Sequence, residues 1–404
     1  MVESKFKNTD IGLLPDDWDI AKIEDVANVI GGGTPSTGNS RFWNGDINWF
    51  TPTEVGKKKY LFESKRKITE LGLINSSGTI LPVGTILITT RAGIGDVGIL
   101  KIESATNQGF QSLVPLSGIV EEYLYYIAST LKPVLLKNSS GSTFLEISPS
   151  KVKAVQIPIP PLDEQKEIAK VLSETDAWIN SLENLIAKKR KLKVGAMQTL
   201  FTPKKDWELK KLGEISEIII GLTYSPKDVR DYGKLVLRSS NIQKGKLSFE
   251  NNVFVEMDLP NRVIVKENDL LVCVRNGSKQ LIGKCALIDK ANEGNAFGAF
   301  MTIIRSRFNR YIHHYFSSNH IQNQIDENLG ATINQLTNAT LKSFDIFFPK
   351  SIIEQSRIAN LLSDMDAEIN SLEEKLNKAK QIKQGMMQQL LTGKIRLIHI
   401  LQTS

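Results

Sequence analysis

Arginines, amides and small hydroxyl residues gather in the Gly- and Pro-punctuated stretches of this chain. Their chemistry suits recognition of bases and phosphates better than bond-making. In the first half they are Thr34, Ser36, Arg41, Trp43, Lys57, Lys58, Lys59, Arg91 and Gln108. In the second they are Tyr224, Ser225, Lys227, Arg238, Ser239, Ser240, Asn241, Arg275, Asn276, Ser278 and Lys279. Arg presents two parallel donors to guanine, Asn and Gln match adenine, and Ser, Thr and Lys fix phosphate oxygens. Ordinary loop polarity accounts equally well for most of these residues taken singly. Arg91 and Arg275 stand out, because each follows an apolar run and precedes a Gly-containing turn.

Motifs for catalysis are missing where they would be expected. GGGTPSTGNS at Gly31 has the glycines of a phosphate loop, but no Lys followed by Ser or Thr comes after them. It reads either as a contact loop or as a structural turn. No Asn/Asp-Pro-Pro-aromatic tetrapeptide of adenine methyltransferases occurs, so methyl transfer by the chain itself is not expected. The four histidines, His313, His314, His320 and His399, fall in helical or tail segments without a nucleophile–base arrangement. Acidic-to-Lys triplets such as Glu208-Leu209-Lys210 are too common by chance to indicate a nuclease. The only cysteines, Cys273 and Cys285, flank an expected hairpin turn and lack metal-ligand spacing, so they read as buried thiols in a reducing cytoplasm. No bound metal or cofactor is expected on this chain.

With 404 residues, 41% hydrophobic and 24% charged, the chain is too long for one core and has the balance of a soluble multidomain protein. No stretch of ~18–20 apolar residues suggests a membrane span, and MVESKFKNTD lacks an export signal core. The net charge of +7 leans only weakly towards a polyanionic partner. The local run Lys57 to Lys59, followed by Lys65, Arg66 and Lys67, is more specific, although solvated surface reads the same way.

What positions these loops is an internal duplication. Residues 164–202 and 354–392 align without a gap at an offset of 190, and the run Ile179 to Glu183 returns as Ile369 to Glu373. The repeat reaches upstream, where Asp17 and Trp18 answer Asp206 and Trp207, and SPSKVKAVQIPIP at Ser148 answers TNATLKSFDIFFP at Thr337. A domain-sized period means two fused copies of one unit. The segments between these anchors have drifted, as expected if the halves recognise different things. Within the repeated segments, Ile168, Leu172, Thr175, Ile179, Leu182 and Ile186 step by four and three. So do Ile358, Leu362, Met365, Ile369, Leu372, Leu376 and Ala379. An alternating 4-3 stripe predicts a coiled-coil seam, with Asp163 as N-cap of the first helix. Thirty-nine residues would make a rod of about 58 Å, which needs a partner seam. Connectivity requires the two to run antiparallel. Gly195 and Gly385, at matching positions, suggest either a close helix approach or two tolerated surface glycines. TILITT at Thr85, DLLVCV at Asp269 and AFMTII at Ala299 read as strands, and EEYLYYIAST at Glu121 and YIHHYFSSN at Tyr311 as helices.

The predicted fold is α+β: two mixed, strand-rich domains separated by two long antiparallel coiled-coil helices, with a pseudo-twofold internal repeat. The expected boundaries are 1–160, 161–202, 203–349 and 350–404. PIPPLDEQKEIAKVLSETDAWI at Pro158, its copy PKSIIEQSRIANLLSDMDAEI at Pro349, and QQLLTGKIRL at Gln388 resemble the specificity subunit of type I restriction-modification systems. GGGTPS, GDINWFTPTEV at Gly45, TTRAGIGDVG at Thr89 and NQGF at Asn107 resemble one type of target-recognition domain in that family. The second half departs, with GLTYSP for GGGTPS and AFGAF at Ala296 for NQGF. The resemblance implies a non-catalytic, cytoplasmic subunit that reads a split, asymmetric site on double-stranded DNA, one half per domain, with the coiled coil setting the unread spacer. It implies two modification subunits, whose S-adenosylmethionine serves N6-adenine methylation, and two restriction subunits that use ATP and Mg. A protein-binding scaffold without DNA readout is the rival reading.

Overall fold

In the computed structural model, residues 5–91, 93–141, 145–329 and 334–397 are described. The chain divides into two units. The first comprises residues 1–183 and 374–404, the second residues 184–373. Both long helices are continuous: α1 spans Leu162–Leu200 and α2 spans Ile352–Leu390. Each unit therefore contains part of α1 and part of α2. Helix α1 begins at Leu162, so Asp163 sits inside the first turn and is not the N-cap. A carboxylate there still favours the helix dipole.

The first unit is built on a five-stranded sheet in the order 27–31, 110–115, 86–89, 97–100 and 60–61, antiparallel except at its last pair. Three further strands form a smaller sheet, in which Trp43–Phe50 lies between Ser104–Thr106 and Arg66–Ile68. The helix Glu121–Thr130 buries Tyr123, Leu124, Tyr126, Ile127 and Ala128. These pack in one core with Trp18, Ile168 and Leu172 of α1 and Leu390 of α2.

The second unit repeats this plan with a four-stranded main sheet. Its main sheet orders 217–220, 301–305, 270–273 and 285–287, all antiparallel. The expected strand at Ala299 starts at Met301, and the helix expected at Tyr311 covers Asn309–Phe316. Its core joins Tyr311, Tyr315, Leu212 and Phe201 to Ile358 and Leu362 of α2. A separate apolar cluster in this unit gathers Val236, Val263 and Phe297. Cys273 and Cys285 are both buried and free, and burial raises the Cys285 thiol to about 12.

Corresponding residues do the same jobs in both units. Ile157 pairs with Ala21 in one two-stranded ladder, and Ile346 pairs with Lys210 in the other, each partner shifted by 189. Ser148 and Thr337 each cap the short helix that follows. Along the long helices, Asp176 pairs with Lys383 and Glu183 with Lys380 in the first unit. In the second, Asp366 pairs with Lys193 and Glu373 with Arg190. Within each unit the partners' numbers rise along one helix as they fall along the other. The stripe residues Ile168, Leu172, Ile179, Leu182, Ile186, Ile358, Leu362 and Ile369 are buried, whereas Met365, Leu372 and Leu376 are half-buried. A Cβ at Gly195 or Gly385 would meet nothing within 4 Å among the described residues. The surface-glycine alternative describes both positions, and neither marks a close helix approach.

Candidate nucleic-acid interface

In the first unit, the Gly31 segment is held to the loop after Ser104–Thr106. The Gly33 amide donates to the Thr106 carbonyl, and a Cβ on Gly32 would lie 2.0 Å from the Asn107 carbonyl oxygen. Only glycine tolerates that approach, so Gly32 and Gly33 are structural. They carry Thr34 and Ser36 to one edge, where Thr34 Oγ1 donates to Gln108 Oε1. Trp49 Nε1 donates to the Gly33 carbonyl at 2.9 Å, and Trp43 Nε1 donates to the Ser36 carbonyl at 3.1 Å. The two indoles meet edge-on with centroids 5.1 Å apart. Trp43 is thus buried and shapes this edge from within; it is not a free loop aromatic. The exposed guanidinium of Arg66 lies 3.7 Å from the Trp43 ring centroid. Arg66 was visible in the sequence only as one member of a basic run, and nothing in that run announced the stack.

Arg41 is exposed near Trp43, and its carbonyl accepts from Thr69 Oγ1. Arg91 follows Thr90, whose amide donates to Gly109, which brings it close to Gln108. Its guanidinium pairs with Glu146 at 2.6 Å. These contacts link Thr34 to Gln108, and Ser36 through Trp43 to Arg66.

The basic run at residue 57 divides. Lys57 and Lys58 are exposed, whereas Lys59 turns inward and donates to Tyr126 Oη at 3.0 Å and to Ser173 Oγ of α1 at 2.8 Å. Burial lowers its ammonium to about 8, and the same burial raises Tyr60 to about 12. Tyr126 Oη in turn donates to Asp176 at 2.7 Å, which also holds Lys383. The expectation of a contact surface does not describe Lys59, which ties the domain to its helices.

In the second unit Tyr224, Arg238, Ser239 and Ser240 line one cleft of about 750 Å³, with Phe300 on its wall. Arg238 Nη2 donates to the Asn251 carbonyl, but its Nε and Ser240 Oγ are buried without a partner among the described residues. Asn276 Nδ2 donates to Ser239 Oγ at 3.1 Å, and the Arg275 guanidinium lies 5.1 Å from the Phe300 centroid. These contacts bring two distant loops together. Ser225 caps the short turn through Lys227, and Lys279 pairs with Asp326. Ser278 is exposed, and its amide donates to Asn276. Asn241 is an exception. It is fully buried, bonding Arg238, Ser248 and Asn252, and so it holds the loop instead of presenting itself. Phe300, 56% exposed, was missed by the sequence reading. Its signal was an aromatic residue in the segment that replaces NQGF.

Among the described residues, His313, His314 and His320 pack in the second unit and no group of three or more His, Cys, Asp or Glu could hold a metal ion; His399 lies outside them. No helix among them is long and apolar enough to cross a membrane.

The fold and these two edges define a tandem-duplicated protein, with one repeated frame carrying two different sets of cations, amides and aromatics. The family model described as "Type I restriction modification DNA specificity domain" matches twice, over residues 15–193 and 204–383. The chain belongs to the family of type I restriction-modification specificity subunits. It is 40% identical over 250 residues to the MjaIX specificity subunit of Methanocaldococcus jannaschii, a match spanning 56% of this chain and 58% of that one. Similarity to the MjaVIII specificity subunit of the same organism, at 24% identity, covers 98% of this chain and 97% of the other. The EcoKI specificity subunit of Escherichia coli K12 is 25% identical over 95% of this chain and 90% of its own. A solved type I S subunit from M. genitalium shares the fold, with TM-score 0.60 at 17% identity over 92% of this chain and 96% of that one.

Proposed function

We infer that this chain is the non-catalytic DNA-specificity subunit of a type I restriction-modification complex, each half reading one part of a bipartite, asymmetric target. One observation supports the reading: a single repeated frame carries two unlike sets of cations, amides and hydroxyls. Arg66, Arg91, Thr34 and Gln108 belong to the first unit, and Arg238, Arg275, Ser239 and Asn276 to the second. Donors on exposed loops fit base edges and phosphates, and Arg suits guanine best. In this reading α1 and α2 form an antiparallel coiled coil with a pseudo-twofold repeat. Supporting it, the Asp176–Lys383 pair recurs as Asp366–Lys193 with each residue shifted by 190.

The helices set the unread spacer and dock two modification subunits, and two restriction subunits complete the complex. S-adenosylmethionine, ATP and Mg belong to those partners. The dyad of the repeat suits the local dyad of duplex DNA, so each half would offer an adenine on opposite strands. The target adenine is then extruded by the modification subunit, while the specificity chain holds the duplex from outside. Mapping N6-methyladenine genome-wide in cells carrying this chain and its modification subunit tests the reading. A split motif of two fixed parts is expected. Methylation of a continuous motif, or none that depends on this chain, would reject it.

A further inference from the structure

The first unit contains four arginines, and their guanidinium groups are engaged in different ways. Arg396 is locked between Asp17 and Glu164, and Arg91 pairs with Glu146. Arg41 is exposed, and the bonds it makes are through its backbone. Arg66 differs from all three. It is exposed and has no carboxylate at ion-pair distance among the described residues, yet its side chain is held. The guanidinium carbon lies 3.7 Å from the ring centroid of Trp43 and 5.4 Å from that of Trp49. At 3.7 Å it sits over the indole face. The planar group is gripped through its own face, and its N–H donors, which lie in that plane, are left to other acceptors.

A bulge puts the indole there. The strand Trp43–Phe50 pairs antiparallel with Arg66–Ile68, and Trp49 stands opposite Arg66. Trp43 and Ile47 both face Ile68, because the residues between them loop out of the ladder. Asn44 takes a positive φ of 61°, and a Cβ on Gly45 would lie 2.6 Å from the Ile68 carbonyl oxygen. A bulge re-aims the side chains beside it, and this one returns Trp43 to the edge of Trp49. The bonds from Trp43 Nε1 to Ser36 and from Trp49 Nε1 to Gly33 then fix both rings. The backbone under the arginine is fixed too. Ser64 Oγ donates to the Arg66 carbonyl at 2.6 Å and accepts from the Trp49 amide at 2.9 Å, while the Ser64 amide donates to Asn48 Oδ1 at 3.0 Å. Asn48 and Ser64 are both buried. A long side chain thus has its base and its plane set before any ligand arrives, which lowers the ordering cost of binding.

We propose, on the reading that this unit contacts DNA, that Arg66 is its guanine-reading residue, offering two in-plane donors to O6 and N7 of one base. Phosphate oxygens accept from many directions, and the exposed Lys65 beside it serves them as well. The major-groove edge of guanine asks instead for two parallel donors in the plane of the base, which lysine cannot supply. A guanidinium whose plane is set by an indole fits that second demand. Arg91 would have to leave Glu146 to do the same. Trp43 is then a positioning residue: it touches no base and holds the plane of the group that does.

The test uses the methyltransferase assembled from the full-length chain and its modification subunit. Methylation rates are measured on duplexes in which each base pair of the target is changed in turn, for wild type, Arg66→Lys and Arg66→Ala. Wild type should discriminate against loss of one particular G·C pair. Both variants should lose that discrimination, by about tenfold to a hundredfold, and still read every other pair. Arg66→Lys keeps the charge but not the fork, so it separates base reading from phosphate contact. Discrimination retained in Arg66→Lys overturns the assignment. So does an equal loss of rate on every sequence with a shallower salt dependence, the mark of a phosphate contact. In either case the DNA-specificity reading of the chain stands. A wild-type complex indifferent to every base pair would overturn that reading as well.

Discussion

Arg396 and Glu164, 232 residues apart in sequence, meet in a two-point ion pair: Nε on Oε1 at 2.8 Å and Nη2 on Oε2 at 2.9 Å. The same guanidinium grips Asp17 at 2.8 and 2.6 Å, and Glu164 also accepts from Trp18 Nε1 at 2.8 Å. The segment after α2 is thereby fastened to the start of the chain within the first unit. In the second unit the chain is continuous at this point, and Glu354, the counterpart of Glu164, pairs with Lys204 of the linker.

Glu164 is wholly buried, so Arg396→Met strands its carboxylate. Breaking a buried pair from one side costs about 3–5 kcal/mol. Because Asp17 remains partly solvated, the lower end of that range is expected. Urea unfolding followed by tryptophan fluorescence reads the loss. The double variant Arg396→Met, Glu164→Gln should recover part of it, since no charge is then left alone. A single variant as stable as wild type would mean that the pair contributes nothing to the fold.

The helix stripe makes a graded prediction. Leu362 is fully buried in the core of the second unit, whereas Leu372 is half-buried. Leu362→Asp should cost several kcal/mol through an unpaired buried charge. Leu372→Asp, with water near at hand, should cost clearly less. Thermal melting by circular dichroism ranks the two, and equal melting temperatures would refute the burial argument.

His313 and His314 give the second unit a pH dependence. Burial lowers them to about 4 and about 3. His314 Nε2 bonds Ser363 Oγ at 2.9 Å, Asp366 approaches its Nδ1 at 3.8 Å, and Lys193 and Arg310 repel its proton. Below pH 6.5 the unfolded imidazoles bind protons that the folded ones refuse. Stability should therefore fall as pH drops from about 6.5 towards 4, by at most ~1.4 kcal/mol per pH unit for each histidine. His314→Gln should flatten the slope. Denaturation midpoints at pH 7 and pH 5 that coincide in the wild type would contradict this account.

Local patterns in the sequence carried the frame, while contacts between distant residues escaped it. The 4-3 stripe gave both long helices, because burial on one helical face leaves its period in the residues. Short β-branched runs gave the strands at Ile86 and Leu270 for the corresponding reason. Lys59 was read as surface because a basic run looks solvated, and only the fold reveals Tyr126 and Ser173 waiting for its ammonium. Trp43 and Asn241 carry polar groups that proteins also present outward, but here those groups are spent on Ser36, Ser248 and Asn252. Arg396 closes on Glu164 across most of the chain, a distance at which no periodicity speaks. The Arg66–Trp43 stack was illegible for the same reason, since it depends on strand register.

The two recognition edges should be separable. Arg91 and Arg275 belong to different units, and neither is buried, so replacing either should leave the fold intact. Arg91→Ala frees Glu146 on an exposed surface, where losing an ion pair costs little. If Arg91 touches a base, its loss weakens or relaxes one half of the target by about 1–3 kcal/mol. Arg275→Ala should act only on the other half, releasing the Phe300 face as it does so. Arg66→Ala should follow Arg91→Ala, because both residues belong to the first unit. Competition binding by the assembled methyltransferase, with each half of the DNA target scrambled in turn, reads these effects directly. If Arg91→Ala and Arg275→Ala impair the same half, two independent readers on one repeated frame cannot be right.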